Sequence, residues 1–364
     1  MNVLALNSGS SSFKFGLFWV QASSITQVSA TTVANASVAD AMAGVKKLLA
    51  ESGVPTPDAV GHRIVHGGHA LRQHCLLNHS VVQQLESAVA FAPLHMPAAL
   101  SFIRFAQAYL PRLPQVVCFD TSFHAGMADV AQVLPIPKKL QLAGLQRYGF
   151  HGLSCESIVH ALGPALPDRI VIAHLGNGAS VTAVRNGKSV DTSMGLTPTG
   201  GVIMGTRSGD LDPGVLLYLM REMKFDAAKL ADLVDNQCGL LAISGSSSDM
   251  RRLHEAASHN ADARLAIRMF CYAVGKQIAA MIAALDGIDL LVFTGGIGEN
   301  DAQVRAGICS HLSWIGVQLD EERNQFAQNP VNAAASRCMV QVIASREDDE
   351  IARHTFALAA QGAA

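Results

Sequence analysis

One pattern constrains the fold of this chain more than any other, because it occurs twice. Asn2 to Leu6 reads as a buried strand, Asn7 to Ser12 as a Gly/Ser loop, and Phe13 to Val20 as a second strand folding back on the first. Near the middle, the apolar run Arg169 to Ala173 leads into the loop His174-Leu175-Gly176-Asn177-Gly178. The strand Ala179 to Val184, an Asn186-Gly187 hairpin turn and the strand Lys188 to Thr192 follow. Segments of helical character come after each copy, at Ala39 to Ala50, Gln83 to Ala92, Pro213 to Met223 and Ala261 to Leu285. An internal duplication of this kind predicts two similar α/β halves with a cleft between them.

Length agrees, since 364 residues exceed what one core comfortably holds. Hydrophobic residues at 49%, charged residues at 15% and 31 glycines describe a densely packed enzyme rich in tight turns. A net charge of −2 without long basic runs recommends neither nucleic acid nor a membrane surface, so an anionic ligand must be held by local groups. The seven cysteines are scattered and never form CxxC, which predicts reduced thiols and neither disulfides nor a zinc site. The most apolar region, Ile278 to Phe293, is interrupted by Asp286 and Asp289 and is too short to span a bilayer. The N-terminus carries no signal-like segment, and the expected location is the cytoplasm.

A third strand, Leu290 to Phe293, runs into Thr294-Gly295-Gly296-Ile297-Gly298-Glu299-Asn300, where free backbone N–H groups can receive an anion or nucleotide. A single glycine loop is as often a structural turn that binds nothing, but three in one chain favour a ligand. The familiar routes to other chemistries are closed. No GxxxxGK[ST] is present, Gly296-Ile297-Gly298 lacks the third glycine of a dinucleotide fingerprint, and Gly152-Leu153-Ser154-Cys155-Glu156 ends in Glu where a hydrolase elbow needs Gly. His254-Glu255 has no second His four residues on.

Phosphoryl transfer without a P-loop remains, and it needs Arg, His and carboxylates in line with the migrating group. These residue types sit in short glycine-flanked blocks: Gly61-His62-Arg63-Ile64-Val65-His66-Gly67-Gly68, Phe119-Asp120-Thr121-Ser122-Phe123-His124, Arg147-Tyr148-Gly149-Phe150-His151-Gly152 and Met204-Gly205-Thr206-Arg207-Ser208-Gly209-Asp210. With Asn7-Ser8-Gly9-Ser10-Ser11-Ser12-Phe13-Lys14, His174 to Gly178 and Gly295 to Asn300, they make the chain resemble the acetate kinase family from end to end.

The resemblance implies a duplicated actin-like, ribonuclease H-like two-domain α/β fold, shared by acetate and sugar kinases, Hsp70 chaperones and actin. Residues 1–122 with 349–364 would form the N-terminal domain and 123–348 the C-terminal domain with most of the nucleotide site. It implies Mg²⁺- (or Mn²⁺-) dependent transfer of the ATP γ-phosphoryl group to acetate, and a homodimer. Arg63 and Arg207 would grip the carboxylate and the migrating group, His151 would donate to the phosphoryl oxygens, and Asp120 would orient the acceptor or metal. An isolated arginine is more often a surface ion pair, but Arg63 lies in an apolar strand and Arg207 between glycines. His95 and His174 would support. Arg63, Val65, Leu94, Phe150 and Pro198 would enclose the substrate, the apolar four forming a methyl-sized pocket. Ser10, Ser12, Lys14, His174, Leu175, Gly176, Asn177 and Gly178 would hold phosphates. Asp249, Met250, Arg251, Gly295, Gly296, Ile297, Gly298 and Asn300 would hold the adenosine end. Asn7 and Glu347 would serve the metal.

The sequence departs from the family pattern at Met96, where Asn commonly follows His95, at Cys155 in place of His, at Thr199-Gly200 in place of Leu-Glu, and in the acidic run Glu347-Asp348-Asp349-Glu350. Acetate, propionate and butyrate differ by methylenes worth only about 1–3 kcal/mol each, so the sequence does not separate them. A non-catalytic actin-like nucleotide-binding protein would not require two arginines and His151. A sugar kinase would need a carboxylate base and a polar pocket in place of the apolar residues beside Arg63.

Overall fold

The computed structural model describes residues 1–9, 12–34, 37–51, 53–93 and 95–362. Its strands are β1 (Asn2–Ser8), β2 (Ser12–Val20), β3 (Ile25–Ala34), β4 (Ala59–Ile64), β5 (Cys75–Leu76), β6 (Gln115–Phe119), β7 (Arg169–Leu175), β8 (Ala179–Arg185), β9 (Lys188–Thr192), β10 (Leu290–Thr294) and β11 (Met339–Val342). They form two sheets, ordered β3-β2-β1-β4-β6-β5 and β11-β10-β7-β8-β9. In each sheet the first strand of the half is central. It pairs antiparallel with the next strand, which pairs antiparallel with the third, while the later strands lie parallel on the other side. The second sheet thus repeats the first, with β5 as a two-residue addition at one edge. This is the duplication legible in the sequence.

Central strands covered on both faces must be apolar where they are covered, and residues 3–6 of β1 and 170–173 of β7 are. Along β1 the side chains alternate: Leu4 and Leu6 enter a core with the helices Val38–Ala50 and Met96–Tyr109, whereas Val3 and Ala5 meet Ile351 and Ala352 of the C-terminal helix Glu347–Gly362. Along β7 and β10, Val171, Ala173, Leu291 and Phe293 pack on the long helix Ala261–Ala284, and Ile170, Ile172, Leu290 and Val292 face Cys155 and Ile158 of the helix Gly152–Leu162. Ala261–Ala284 has the length and composition of a membrane span, but its core-facing residues, Phe270, Val274 and Ile278 among them, are fully buried in the fold.

Several boundaries differ from the sequence reading. Asn7 and Ser8 continue β1 against Lys14 and Phe13, and His174 and Leu175 continue β7 against Ser180 and Ala179, because a hairpin ladder pairs backbones whatever the side chains. The second loop is therefore only residues 176–178. Gly295–Asn300 is a short helix springing directly from β10, and Gly295, at φ +77°, makes the turn into it. The helix expected at Gln83 to Ala92 instead spans His79–Ser87, started by Asn78, whose side chain accepts from Val81 N–H. The Asn186-Gly187 turn is as expected, with both residues at positive φ and two-residue spacing between β8 and β9.

Candidate active site

The hairpin ends of β1–β2 and β7–β8 and the ends of β4, β6 and β10 open on one cleft of about 630 Å³ between the sheets. At its centre Arg63, from β4, reaches Asp120 beyond β6. Its Nε donates to both carboxylate oxygens at 3.0 and 3.1 Å, and Nη2 donates to Oδ2 at 2.7 Å. Nη1 donates to Asn7 Oδ1 at 2.9 Å and stands 3.3 Å from Glu347. Asn7 in turn donates to Glu347 at 3.1 Å and to Asp348 at 2.7 Å. Burial works against the Arg63 charge, but Asp120 and Glu347 outweigh it and raise its pKa. Burial raises the Asp348 carboxyl above its ordinary value; the hydrogen bond from Asn7 only partly opposes this, and the Glu347 charge adds to it. Asn7, Asp120, Glu347 and Asp348 offer only hard oxygen ligands, with three carboxylates gathered around one guanidinium, a donor set that fits Mg²⁺.

Arg207 is different. It is 6% exposed, and among the described residues its donors reach only Pro198 O at 3.2 Å, His95 Nε2 at 3.3 Å and the Met204 sulfur at 3.8 Å. Among the described residues no carboxylate pairs with it, and burial pulls its pKa down despite the more distant Asp235. His95 accepts from it as a neutral ring, its own pKa held at about 3 by burial and by Arg207 and Arg63.

His151 occupies the left-handed region at φ +57°, a conformation less common for a non-glycine residue. It immediately precedes Gly152, where a Cβ would lie 2.2 Å from Asp120 O; only glycine allows the helix Gly152–Leu162 to start there. Nδ1 of His151 is 2.9 Å from Ser180 Oγ, and the ring stacks on His174 at 4.2 Å between centroids. His174 is anchored by Ser154 at 2.8 Å, and Ser154 by Ser345 at 2.9 Å. Burial, then His174 and the two arginines, push His151 well below the ordinary histidine range, so it is neutral at pH 7. A Cβ on Gly178 would stand 3.2 Å from both Arg207 Nη1 and His151 Nε2, so these two groups converge on one small space.

Asn7, Lys14, Arg63, Val65, Asp120, Phe150, His151, His174, Asn177, Gly178, Pro198, Arg207, Gly295, Gly296 and Glu347 all line this cleft, as sequence reasoning expects. Leu175 is instead a fully buried β7 core residue, and Gly176 lies with its Cβ position 3.9 Å from Gly296 N. Gly298 packs against Phe293, and the Asn300 amide closes the short helix onto Gly296 O at 2.9 Å; neither they nor Ile297 line the cleft. Asp249 caps the helix Met250–Ala256 and pairs with Arg251, while Met250 is core; these three lie outside the cleft wall as well. Ser10, Leu94 and the Ser12 side chain lie outside the described residues. Sequence reading missed Asp348 as a partner of Asn7, and Glu299, which accepts from Gly295 N at 2.9 Å and Ser345 N at 3.0 Å and so ties the β10 turn to the segment before the last helix. The acidic run at a helix start was the available signal for Asp348; Glu299 stood inside the third glycine loop, but its partner Ser345 is 46 residues away.

A duplicated ribonuclease H-like fold whose cleft gathers a carboxylate cluster, an unpaired buried arginine and a neutral histidine defines a class, the kinases of actin-like architecture that transfer phosphoryl groups to a carboxylate. Residues 21–353 match the model of the Acetokinase family. The chain is 45% identical over 307 residues to an acetate kinase of Nitrobacter hamburgensis, covering 83% of this chain and 76% of that protein. Among solved structures it superposes on a propionate kinase from Francisella tularensis with a TM-score of 0.90 at 36% identity, covering 98% and 99% of the two chains. It superposes on the Porphyromonas gingivalis acetate kinase at 0.85 and 33%, with the same coverage. The chain belongs to the acetokinase family.

Proposed function

We propose that this enzyme transfers the γ-phosphoryl group of ATP reversibly to acetate, giving acetyl phosphate and ADP. The observation that carries the proposal is Arg207, a buried guanidinium without a carboxylate partner beside a neutral histidine, which is a site waiting for an anion. Acetate is already ionised at neutral pH, so its attack on phosphorus needs no general base. One carboxylate oxygen forms the new P–O bond as the β,γ-bridging bond breaks, and the electron pair leaves with ADP. Arg207 and His151 Nε2–H, converging beside Gly178, receive the charge spread over the equatorial oxygens. Val65, Phe150 and Pro198 supply an apolar surface for the acetate methyl. Asn7, Asp120, Glu347 and Asp348 would hold Mg²⁺, which would supply positive charge against the phosphates during transfer.

Lys14, Asn177, Gly178, Gly295 and Gly296 would cradle the nucleotide phosphates and adenosine. We divide the chain into domains 1–122 with 349–364 and 123–348, which close on substrate to shield the acyl phosphate from water. We further infer a homodimer, supported by the exposed apolar side chains Val215, Leu217, Tyr218, Met220 and Met223 on and just after the helix Pro213–Arg221 and by Leu265 and Tyr272. The cytoplasm is the compartment we propose. The test is an ATP-consumption assay across acetate, propionate and butyrate with hydroxylamine trapping of the product. Trapped acetyl hydroxamate with the highest kcat/KM for acetate is expected; no trappable acyl phosphate from any of the three, with protein that binds nucleotide, would refute it.

A further inference from the structure

We propose that Glu156, His160 and Glu350 form a binding site for a divalent transition-metal ion of the zinc type, set behind the cleft and joining the helices Gly152–Leu162 and Glu347–Gly362. Glu156 and His160 are four residues apart on one helix, and Glu350 and His354 are four apart on the other, so each pair shares a helix face. The faces interleave: His160 Nδ1 is 2.8 Å from Glu350 Oε2, and His354 Nε2 is 2.9 Å from Glu156 Oε2. Ligand atoms of Glu156, His160 and Glu350 all lie within 4.8 Å of one another. Around tetrahedral zinc, ligand atoms sit about 3.4 Å apart, so modest rotamer closure suffices.

A second triad shares Glu156 and uses His74 and His354. Hydrogen bonding decides between them: among the described residues the hydrogen on His160 Nδ1 goes only to Glu350 and can leave to solvent as the ion takes its place, whereas the His74 tautomer is locked by a backbone N–H. Phe119 N–H donates to His74 Nδ1 at 3.0 Å, so in the neutral ring the hydrogen is on Nε2, which faces Glu156 at 4.0 Å and has no lone pair to give a metal. His354 instead donates to Glu156 Oε2 at 2.9 Å and holds the carboxylate in place, the outer support that metal ligands commonly have, while His74 stays outside hydrogen-bond distance at 4.0 Å. His160, with its side chain 43% exposed, gives the ion access, while Glu350 at 2% anchors it inside. An imidazole with two carboxylates suits zinc and neighbouring transition ions, whereas Mg²⁺ prefers oxygen alone. Arg353 Nε stands 3.5 Å from Glu350, and its 39% exposed side chain can swing outward as the ion enters.

The position gives the site a purpose. One helix begins immediately after His151 and the other begins at Glu347, so an ion joining them a turn further on fixes the histidine relative to the carboxylates of the cleft.

Calorimetric titration of the full, metal-stripped protein with ZnCl₂ in millimolar Mg²⁺, which fills hard-oxygen sites, tests the proposal. Uptake of one equivalent with a Kd below about 1 µM is expected. His160→Ala and Glu156→Gln should each weaken it about 100-fold or more, and His74→Ala less than about threefold. All three variants should keep wild-type turnover in Mg²⁺, and zinc should raise the melting temperature of the wild type but not of His160→Ala. Should Glu156→Gln not fold, His160→Ala, at a half-exposed position, decides alone. No stoichiometric uptake, or uptake that His160→Ala leaves intact, overturns the proposal, as does loss of binding in His74→Ala alone.

Discussion

Arg207→Met separates the two things a buried arginine can do. Arg207 and Arg305 are both almost fully buried, at 6% and 1% exposure. Arg305 is saturated: it donates to Asn324 Oδ1 at 2.8 Å, to Gly298 O and Glu299 O at 2.9 and 3.0 Å, and to Asn324 O. Arg207 has two long contacts to Pro198 O and His95 Nε2, and burial disfavours its charge. Removing two such hydrogen bonds costs about 1 kcal/mol each, and relieving an unpaired buried charge returns a comparable amount. Arg207→Met should therefore change stability by no more than about 1 kcal/mol in either direction. Arg305→Met should cost about 3 kcal/mol or more. Catalysis should reverse the order. Loss of an arginine acting on the migrating phosphoryl group lowers kcat by about 10³–10⁵, equivalent to about 4–7 kcal/mol of transition-state stabilisation. Urea unfolding and steady-state kinetics on the two variants measure both axes. Were Arg207→Met to lose several kcal/mol of stability, or to retain wild-type turnover, the reading of Arg207 as an anion-seeking group would be wrong.

Arg63→Ala should instead destabilise by about 3–5 kcal/mol, because it strands the buried Asp120 carboxylate without its bidentate partner; Arg63→Ala/Asp120→Ala should recover part of this in urea unfolding. Gly178→Ala puts a methyl 3.2 Å from both Arg207 and His151, so kcat should drop by at least about tenfold with an unchanged unfolding midpoint. Because His151 is neutral throughout the physiological range, kcat should stay level from pH 8 to pH 6; a decline with an apparent pKa near 6.5 would show that it works as a titrating acid. His62, His66 and His124 are held by burial at about 4. Below about 6.5 the unfolded chain takes up protons that the native state refuses, so stability should be fully present above that pH and fall as pH drops toward 4, by up to about 1.4 kcal/mol per pH unit for each ring. A urea midpoint unchanged between pH 7 and pH 5 would refute this.

The sequence by itself determined the duplication, because central strands buried on both faces must be written as continuous apolar runs and hairpins need glycine or Asn-Gly at their turns. Asn2 to Leu6, Arg169 to Ala173 and Asn186-Gly187 carry that information locally. It also placed Arg63, Asp120, His151 and Arg207 among the functional candidates, through glycine-flanked blocks whose order resembles the acetate kinase family. What it left undecided was the partnership among them. The two arginines look alike in sequence, yet Arg63 is neutralised by Asp120 and Glu347 while Arg207 pairs with no carboxylate among the described residues. That difference arises from the packing of the C-terminal helix against β1, β4 and β6, which brings Glu347 and Asp348 to Asn7 across almost the whole length of the chain. Glu299 was silent for the same reason: its role is to join the β10 turn to Ser345. Strand periodicity and turn chemistry are local and can be read residue by residue. Which charge meets which is fixed by contacts between distant segments, and exists only once both sheets and the last helix have come together.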